Sequence, residues 1–228
     1  MSHFDFGRQR LMGLVPAVVK QVDDSRGQAR VLVDFPWVDD ADSNQARVWA
    51  RLSTMMAGAN RGTYFVPEPG DEVIVGFVHG DPRFPIVLGA LWNGADAPPE
   101  TMDAAGKNDV RSVTSRSGHQ LRFVDAAGGE RIELLSQGGH RVVLDDADRS
   151  ITIEASNGAV IEIDTAGKVS VRAVTKVSVD APAGVDVTAP IVNVDAPISK
   201  FSGIVKAETV ITNSVISASY TPGAGNVW

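Results

Sequence analysis

Apolar and polar residues alternate along most of this chain with a period of two, which indicates β-strands rather than helices. Between Leu11 and Gly94 the alternation falls into five runs. In the fourth run the apolar residues Val73, Val75 and Phe77 share one face. The complete set is LVPAVVKQVDD, ARVLVDFPWVDD, ARVWARLSTMMAG, DEVIVGFVHGD and FPIVLGALWNG. Five strands in about 80 residues predict a small closed barrel, with a generic small β-domain as the alternative.

The segment 95–110, ADAPPETMDAAGKNDV, has no period and contains two adjacent prolines. Proline and small polar residues without a repeating apolar face are typical of linkers. We therefore predict a barrel of the OB-fold type over 11–94, preceded by a short segment, 1–10. A linker over 95–110 would then join the barrel to a second β-rich region that starts at residue 111.

The second region is repetitive, and its first part repeats a unit of two strands in about 20 residues. Each unit starts at a glycine, and apolar residues follow three and five positions later. An aspartate-containing turn then leads to a second strand with two apolar residues separated by one position. The starting glycines are Gly118, Gly139 and Gly158. The first strands contain Leu121 and Phe123, Val142 and Leu144, and Ile161 and Ile163; the second strands contain Ile132 and Leu134, Ile151 and Ile153, and Val169 and Val171.

From Val177 the repeat shortens to about eight residues, in the stretch VSVDAPAGVDVTAPIVNVDAP. The valines of each copy point to one side of a strand, whereas Ser178 and Asp180 point to the other. The prolines of this stretch fall where strands would end, so that no strand loses a hydrogen-bond donor in its middle. The predicted inward residues, which would form a trimer core, are Val177, Val179, Val185, Val187, Val192 and Val194.

Each short strand has one apolar face that another surface must cover, and no helical period occurs nearby to supply it. Two arrangements remain: a single-chain parallel β-helix, or three chains that each contribute one wall of a triangular prism. The inward residues are small or β-branched, which favours the prism because three side chains meet there on a narrow axis. We therefore predict an all-β chain with an OB-fold barrel and, over 111–217, an intertwined triangular β-helix formed as a homotrimer. A C-terminal tip would follow at 218–228.

The composition agrees with many short strands and argues against several classes of function. The chain is 43% hydrophobic but only 6% aromatic, with 22 glycines, 12 prolines and no cysteine. Without cysteine there is neither a disulfide framework nor a thiolate metal site. The formal net charge of -7 argues against nucleic acid or an anionic membrane as a partner. The start MSHFDFGRQR has no apolar core, and no run of about 18 apolar residues occurs, so we expect neither a signal peptide nor a membrane helix.

The carboxylates that come in pairs are poor candidates for catalysis. Glycoside hydrolysis needs two carboxylates across a substrate cleft. The adjacent pairs Asp71-Glu72 and Asp145-Asp146 would instead point to opposite faces of a strand or lie in a turn. We predict that they are turn residues and that the protein is not an enzyme.

A serine, a histidine and an aspartate also lie close together in the sequence. Ser117, His119 and Asp125 fall within nine residues, on one predicted strand and its turn. Nothing around them indicates an oxyanion hole, which a catalytic triad needs in order to stabilise its intermediate. We predict that these three residues are structural and that no catalytic residue is present.

Several stretches together resemble a known family. They are RVLVDFPWVDD, VWARLSTMMAG and RGTYFVPEPGDEVIVGFVHGDPRFPIVLGALWNG, followed by SGHQLRFVD, GGERIELLS, LDD and the valine-rich octads. The combination is similar to the phage baseplate assembly protein V family, and the valine–glycine repeat spikes of type VI secretion systems share the same core. The resemblance covers nearly the whole chain, and its most specific part starts at PEPGDEVIVGFVHGDP.

The resemblance implies a homotrimeric, non-enzymatic central spike in the contractile tail baseplate of a virion. The spike would pierce the target cell envelope when the sheath contracts. Type VI relatives carry a large hub domain before the OB domain, where this chain has about ten residues. That difference favours a phage or phage-derived tail, assembled in the host cytoplasm. The alternatives are a type VI or extracellular injection spike that carries effectors, and a carbohydrate-binding or carbohydrate-cleaving β-helix protein of the tail-fibre type.

The resemblance also implies partners at both ends of the spike. A separate tail hub protein would bind at the OB end, with Phe4, Phe6 and Arg8 as its contacts. A PAAR-like tip protein would bind at the C-terminus, with Tyr220 and Trp228 as its contacts. Some spikes of this family bind iron through an apical His-x-His motif, which the histidines of this chain do not form. We expect no metal, no cofactor and no nucleic-acid partner.

Overall fold

The computed structural model describes residues 11–38, 47–102 and 105–219. The chain divides into two compact units, Met1–Lys176 and Val177–Trp228. In the described ranges, every regular element except one 3-10 turn is a β-strand. No helix in these ranges is long and apolar enough to cross a membrane. The prediction of an all-β chain is confirmed.

A closed five-stranded barrel lies at the start of the first unit. The strands up to residue 90 are β1 (Leu14–Gln21), β2 (Val31–Asp34), β3 (Arg47–Leu52), β4 (Ala57–Gly58), β5 (Arg61–Gly62), β6 (Glu72–Phe77) and β7 (Pro85–Ala90). The barrel closes in the order β1-β2-β3-β7-β6, and only the β3–β7 pair is parallel. The five barrel strands coincide with the five predicted runs. This closed five-stranded architecture is that of an OB-fold.

Strict alternation on the barrel strands builds the core of the barrel. Valines from β1, β2 and β6 point inward and are fully buried. A phenylalanine after β2 and an alanine on β3 are buried in the same core. These buried residues are Val19, Val31, Val33, Val73, Val75, Phe35 and Ala50. Each buried valine contributes about 1.5–3 kcal/mol relative to an exposed one. The predicted inward face of β6 is confirmed, since Phe77 packs against the same core.

The barrel region contains two short elements that the sequence pattern does not predict. Strands β4 and β5 pair as a hairpin of two residues each, with Ala57 opposite Gly62. A 3-10 turn at Val78–Gly80 precedes β7, and the Leu11 N–H donates to the Gly80 carbonyl at 2.8 Å. Strands of two residues are too short to show an alternating pattern, which explains why the hairpin is not visible in the sequence.

The first unit continues with a seven-stranded antiparallel sheet. Its strands are β8 (Val110–Thr114), β9 (Gln120–Val124), β10 (Arg131–Leu135), β11 (Arg141–Asp145), β12 (Ser150–Glu154), β13 (Val160–Ile163) and β14 (Val169–Arg172). They lie side by side in chain order, so each strand pairs with its neighbours in the sequence. The prediction of two strands per repeat unit is confirmed for this part of the chain.

The repeated glycines close the turns at one end of the sheet. Gly118 and Gly139 have φ values of 87° and 86°, which residues with a Cβ rarely adopt. Each of their amides donates to the carbonyl of a serine three residues earlier, at 2.9 and 3.0 Å. The hydroxyls of the same serines, Ser115 and Ser136, accept the amide of the residue after the glycine. The sequence repeat therefore repeats the hydrogen bonds of the turns as well as the strands.

The second unit differs from the first in its secondary structure. Its described residues, 177–219, form no strand and are exposed throughout. A valine-rich octad has one apolar face, and the described residues of this unit form no second layer that covers it. The triangular β-helix, the homotrimer and the boundaries at 95–110 and 111–217 stay predictions.

Candidate assembly surface

One face of the seven-stranded sheet is apolar from one edge to the other. Directly opposite residues on paired strands share a side of the sheet, and so do residues two apart on one strand. The first row across the strands is Val113, Leu121, Leu134, Val142, Ile153, Ile161 and Val171. The second row is Arg111, Phe123, Ile132, Leu144, Ile151, Ile163 and Val169. We call these two rows the apolar face.

The described parts of the chain leave the apolar face largely uncovered. Leu121 and Val142 are half-buried, and the other aliphatic and aromatic side chains of the two rows are between 37% and 63% exposed. The single charged member, Arg111, lies on the edge strand β8 and forms an ion pair with Asp125. Contiguous exposed apolar surface of this kind marks an interaction site.

The opposite side of the sheet, which we call the polar side, combines charged residues with the buried Val124 and Val143 and contains a buried ion-pair cluster. Glu133 on β10 is only 4% exposed. Its carboxylate accepts hydrogen bonds from Arg122 Nη1 at 3.0 Å and from Arg131 Nε at 2.7 Å, and Arg141 Nη2 lies 3.9 Å away. A buried carboxylate is tolerated when it is paired and hydrogen-bonded in this way, and removal of one partner leaves a costly uncompensated charge.

The surroundings of Glu133 set the titration of its carboxyl group. Burial alone raises the pKa of Glu133, because it disfavours the charged form. The hydrogen bonds and positive charges of Arg131 and Arg122 outweigh burial, so that the pKa lies below its ordinary value of 4.5. The group is therefore ionised at neutral pH, and its ion pairs hold strands β9 and β10 together on the polar side.

Two further ion pairs join parts of the first unit that are far apart in the sequence. Glu100, within the segment predicted as a linker, accepts from Arg122 Nε at 2.9 Å, which ties it to the polar side of the sheet. Arg116, in the turn after β8, lies 3.1 Å from Glu68 in the turn before β6. The first ion pair joins the sheet to the segment 95–110, and the second joins the sheet to the barrel.

The predicted trimer-core valines lie in the second unit. Val177, Val179, Val185, Val187, Val192 and Val194 are 58–72% exposed. Among the described residues of this unit, 177–219, no strand covers them. The predicted hub contacts Phe4, Phe6 and Arg8 and the predicted tip contacts Tyr220 and Trp228 lie outside the described residues. The prediction that these residues make assembly contacts stays open.

Glu72 begins β6 and Asp145 ends β11, so the prediction that the paired carboxylates are turn residues is wrong for these two, whereas Asp71 and Asp146 lie outside the strands. Asp71 Oδ2 accepts from the Glu68 N–H at 2.8 Å. Glu72 Oε2 accepts from Asn93 Nδ2 at 2.9 Å, and Asp145 Oδ1 accepts from a backbone N–H of the following turn at 2.9 Å. These hydrogen bonds give each of the three carboxylates a structural role.

The structure separates the residues that resembled a triad. His119 and Ser117 lie in the turn before β9, whereas Asp125 lies after it, so the length of the strand keeps them apart. The His119 Nδ1 accepts the Gln137 N–H at 3.2 Å, and Asp125 pairs with Arg111. Among the described residues, no group of three or more histidine and acidic side chains could hold a metal ion.

The sequence pattern misses parts of this surface. It identifies the apolar positions of β9 to β14 but places the trimer core in the octads alone. It also misses the cluster around Glu133, Arg122 and Glu100, because strand alternation shows which residues share a face and not which charges meet across strands. An acidic residue flanked by arginines on the polar positions of neighbouring strands is the signal that such a cluster leaves in the sequence.

The barrel can be compared with known protein families. Residues 15–92 match the model described as "Type VI secretion system/phage-baseplate injector OB domain". This range contains all five barrel strands, from β1 to β7. The barrel is therefore similar to the OB domains of the baseplate V and VgrG-like family. This similarity rests on the barrel.

Three curated proteins show how far the similarity extends. The chain is 36% identical over 112 residues to "Actin cross-linking toxin VgrG1" of Vibrio cholerae, a match that covers 47% of this chain and 10% of that protein. It is 36% identical over 112 residues to "Type VI secretion system spike protein VgrG3" of Vibrio cholerae, with 47% and 11% covered. It is 32% identical over 130 residues to "Type VI secretion system spike protein VgrG1a" of Pseudomonas aeruginosa, with 54% and 20% covered. The matched stretch thus spans only a tenth to a fifth of these relatives.

Proposed function

We propose that this chain is the structural, non-enzymatic central spike of a contractile injection apparatus, in a phage or phage-derived tail baseplate. In this proposal three copies assemble around one axis. The OB-fold barrels form the base, and the repeat region forms a triangular prism that pierces the target cell envelope. The spike would be part of the virion tail and would be assembled in the host cytoplasm.

The apolar face of the seven-stranded sheet is the observation that carries the proposal. Its two rows of aliphatic and aromatic side chains continue across all seven strands and stay largely exposed in the single chain. Each such side chain contributes about 1.5–3 kcal/mol when it is fully buried. Three apolar faces turned towards one axis would bury one another and leave the polar side, with Glu133, on the outside.

The octads support the same assembly in the second unit. Their valines are exposed in the single chain and alternate with polar residues such as Ser178 and Asp180. If three chains supply three walls, the valines meet on the axis and the polar residues face solvent. The backbone hydrogen bonds of a β-prism run along its walls, and such a rod resists bending when it is pushed through an envelope.

The proposal includes partners at both ends. A separate tail hub protein would bind at the barrel end through Phe4, Phe6 and Arg8. A PAAR-like tip protein would cap the prism through Tyr220 and Trp228. Contact with the envelope would be transient. The net charge of -7 argues against nucleic acid as a partner.

A type VI secretion spike is the second candidate function. It is favoured by the relatives, because two of them are named type VI secretion system spike proteins. Both candidates require the same trimer. A binding experiment distinguishes the two candidates, because a contractile phage tail and a type VI apparatus contain different partner proteins. The purified chain should bind to only one of these two particles.

One pair of variants tests the assembly. Ile161 and Glu162 are neighbours on β13, and both are exposed in the single chain, but Ile161 belongs to the apolar face and Glu162 to the polar side. Ile161→Lys should reduce or abolish the trimer, because it would place three ammonium groups inside the prism without partners. Glu162→Lys should leave the trimer intact.

Light scattering measures the outcome of this test directly. The unmodified chain should have a mass near three times 24.1 kDa. A monomer at micromolar concentration would rule out the trimeric spike, and a mass of two chains would indicate two sheets stacked face to face. Equal masses for the two variants would show that the apolar face is not the assembly surface.

A further inference from the structure

Two histidines hold equivalent positions in consecutive turns at one end of the seven-stranded sheet. The N–H of Ser115 donates to the His119 carbonyl at 2.8 Å, and the N–H of Ser136 donates to the His140 carbonyl at 2.9 Å. Each histidine therefore closes its turn in the same way. In the third turn of the series the equivalent residue is Ala159. Both histidines line one depression on the apolar face.

Each imidazole ring also binds the turn that follows, through the same ring atom. His119 Nδ1 accepts the Gln137 N–H at 3.2 Å, and His140 Nδ1 accepts the Ser156 N–H at 3.2 Å. Gln137 and Ser156 occupy the same position in their turns. We call these two hydrogen bonds the turn ties. They connect three consecutive turns at this end of the sheet, in addition to the hydrogen bonds between the strands.

A turn tie requires a neutral imidazole ring. A ring nitrogen accepts a hydrogen bond only when it carries no proton, so the proton of each neutral ring lies on Nε2. A second proton would be added at Nδ1 and would face the Gln137 or Ser156 N–H, so that two donors would oppose each other. Histidine is the side chain that ordinarily changes its charge between about pH 5 and 8. Protonation of either histidine would therefore break its turn tie.

The charged groups near the turn ties do not compensate for their loss. Arg116, in the turn of His119, pairs with Glu68 of the barrel. Arg141 and Glu154 line the same depression as the histidines, and they lie opposite each other on the polar side of β11 and β12. Among the residues that the structure describes, neither histidine forms an ion pair. An imidazolium would thus lose a hydrogen bond without gaining a counterion.

We propose that His119 and His140 make the repeat region sensitive to acid, because their neutral rings hold three consecutive turns together and their protonated rings release them. The direction of the effect follows from the form that the turn tie binds. The folded sheet favours the neutral rings, so the unfolded chain takes up protons more readily, and the stability of the sheet falls as the pH decreases below about 7. This inference concerns the sheet of the single chain and does not depend on the proposed trimer.

Two variants of the full-length chain test the proposal. The first combines His119→Asn with His140→Asn, because the amide Oδ1 can accept the same N–H and carries no proton at any pH used. The control, His79→Asn, removes an exposed histidine of the barrel, and asparagine tolerates the φ of 53° at that position. The measurement is hydrogen exchange of the Gln137 and Ser156 amides, followed by mass spectrometry with residue-level fragmentation.

In the unmodified chain, exchange of these two amides should accelerate several-fold between about pH 7.5 and 5.5, after correction for the intrinsic effect of pH on exchange. Glu133 stays ionised in this range, because its pKa lies below its ordinary value of 4.5, so its ion pairs do not contribute to the change. The double variant should keep the same protection at both pH values. The His79 variant should behave like the unmodified chain.

Equal protection of the two amides at both pH values in the unmodified chain would overturn the proposal. So would a double variant that loses protection in acid as the unmodified chain does, because the change would then arise outside the two rings. If the double variant does not fold, exchange in the unmodified chain and in the His79 variant still decides. Light scattering at neutral pH reports on the trimer separately, so a monomer there would rule out the spike and leave the turn ties in place.

Discussion

Glu133 is the residue on which the polar side of the sheet depends most. It is the buried charged residue of the described chain, and two arginines bind its carboxylate directly. Its strand neighbours Ile132 and Leu134 belong to the apolar face. Glu133 thus stabilises the polar side of the sheet, while the residues on either side of it belong to the apolar face.

Because the pKa of Glu133 is lowered, the stability that its ion pairs contribute should decrease as the pH falls. The folded-state pKa lies below the ordinary value of 4.5, so the ion pairs stabilise the fold fully above that value and are lost as the pH falls through the folded-state pKa. At pH 7, Glu133→Gln should lower the free energy of unfolding by about 1–3 kcal/mol. Urea denaturation should show that the difference from the unmodified chain shrinks below about pH 4.

A glutamate on the same side of the sheet provides the control for that experiment. Glu162 is exposed, and Glu162→Gln should change the free energy of unfolding little at any pH. A Glu133→Gln variant as stable as the unmodified chain at pH 7 would contradict the structural role of the cluster. So would a difference that grows as the pH falls.

At the scale of strands, alternation predicts most of what the structure shows. The five runs of the barrel and the repeat pairs from Leu121 to Val171 coincide with strands, because a half-buried strand needs apolar residues at every second position. Alternation does not predict the β4–β5 hairpin, which is too short to show a period. It also does not predict the contact of Glu100 with Arg122, because a pairing of charges across 22 positions leaves no local pattern.

The octads provide a prediction at the same scale. Val187→Asp would bring three carboxylates together near the axis of the proposed prism, where burial without partners is very costly. The trimer should dissociate at a lower temperature, and at protein concentrations at which the unmodified trimer stays intact, as measured by light scattering. Ser178→Asp places the same charge on the outward side and should be tolerated. Equal loss of trimer in both variants would show that the octad strands face the other way.

At the scale of the whole molecule, the sequence and the structure differ on how tightly the parts are joined. The pattern predicts a linker over 95–110, because prolines and small residues give that segment no apolar face. The structure adds two ties, from Glu100 to Arg122 and from Arg116 to Glu68. A spike that transmits force from its base to its tip gains from such ties, because a free linker would let the base move without the prism.

Two fragments test whether the connecting segment is part of the spike. Residues 111–228 contain the whole apolar face and the octads, so they should still form a trimer. Residues 95–228 also contain Glu100, and three such ion pairs per trimer should raise the free energy of unfolding by up to about 1 kcal/mol each, because the pair is only partly exposed. Glu100→Ala in the longer fragment should remove most of this gain in a thermal unfolding experiment, because Arg122 would keep only its contact with Glu133. If the two fragments unfold alike, the segment is a simple tether. If both fragments are monomeric, the prism needs the barrel in order to assemble.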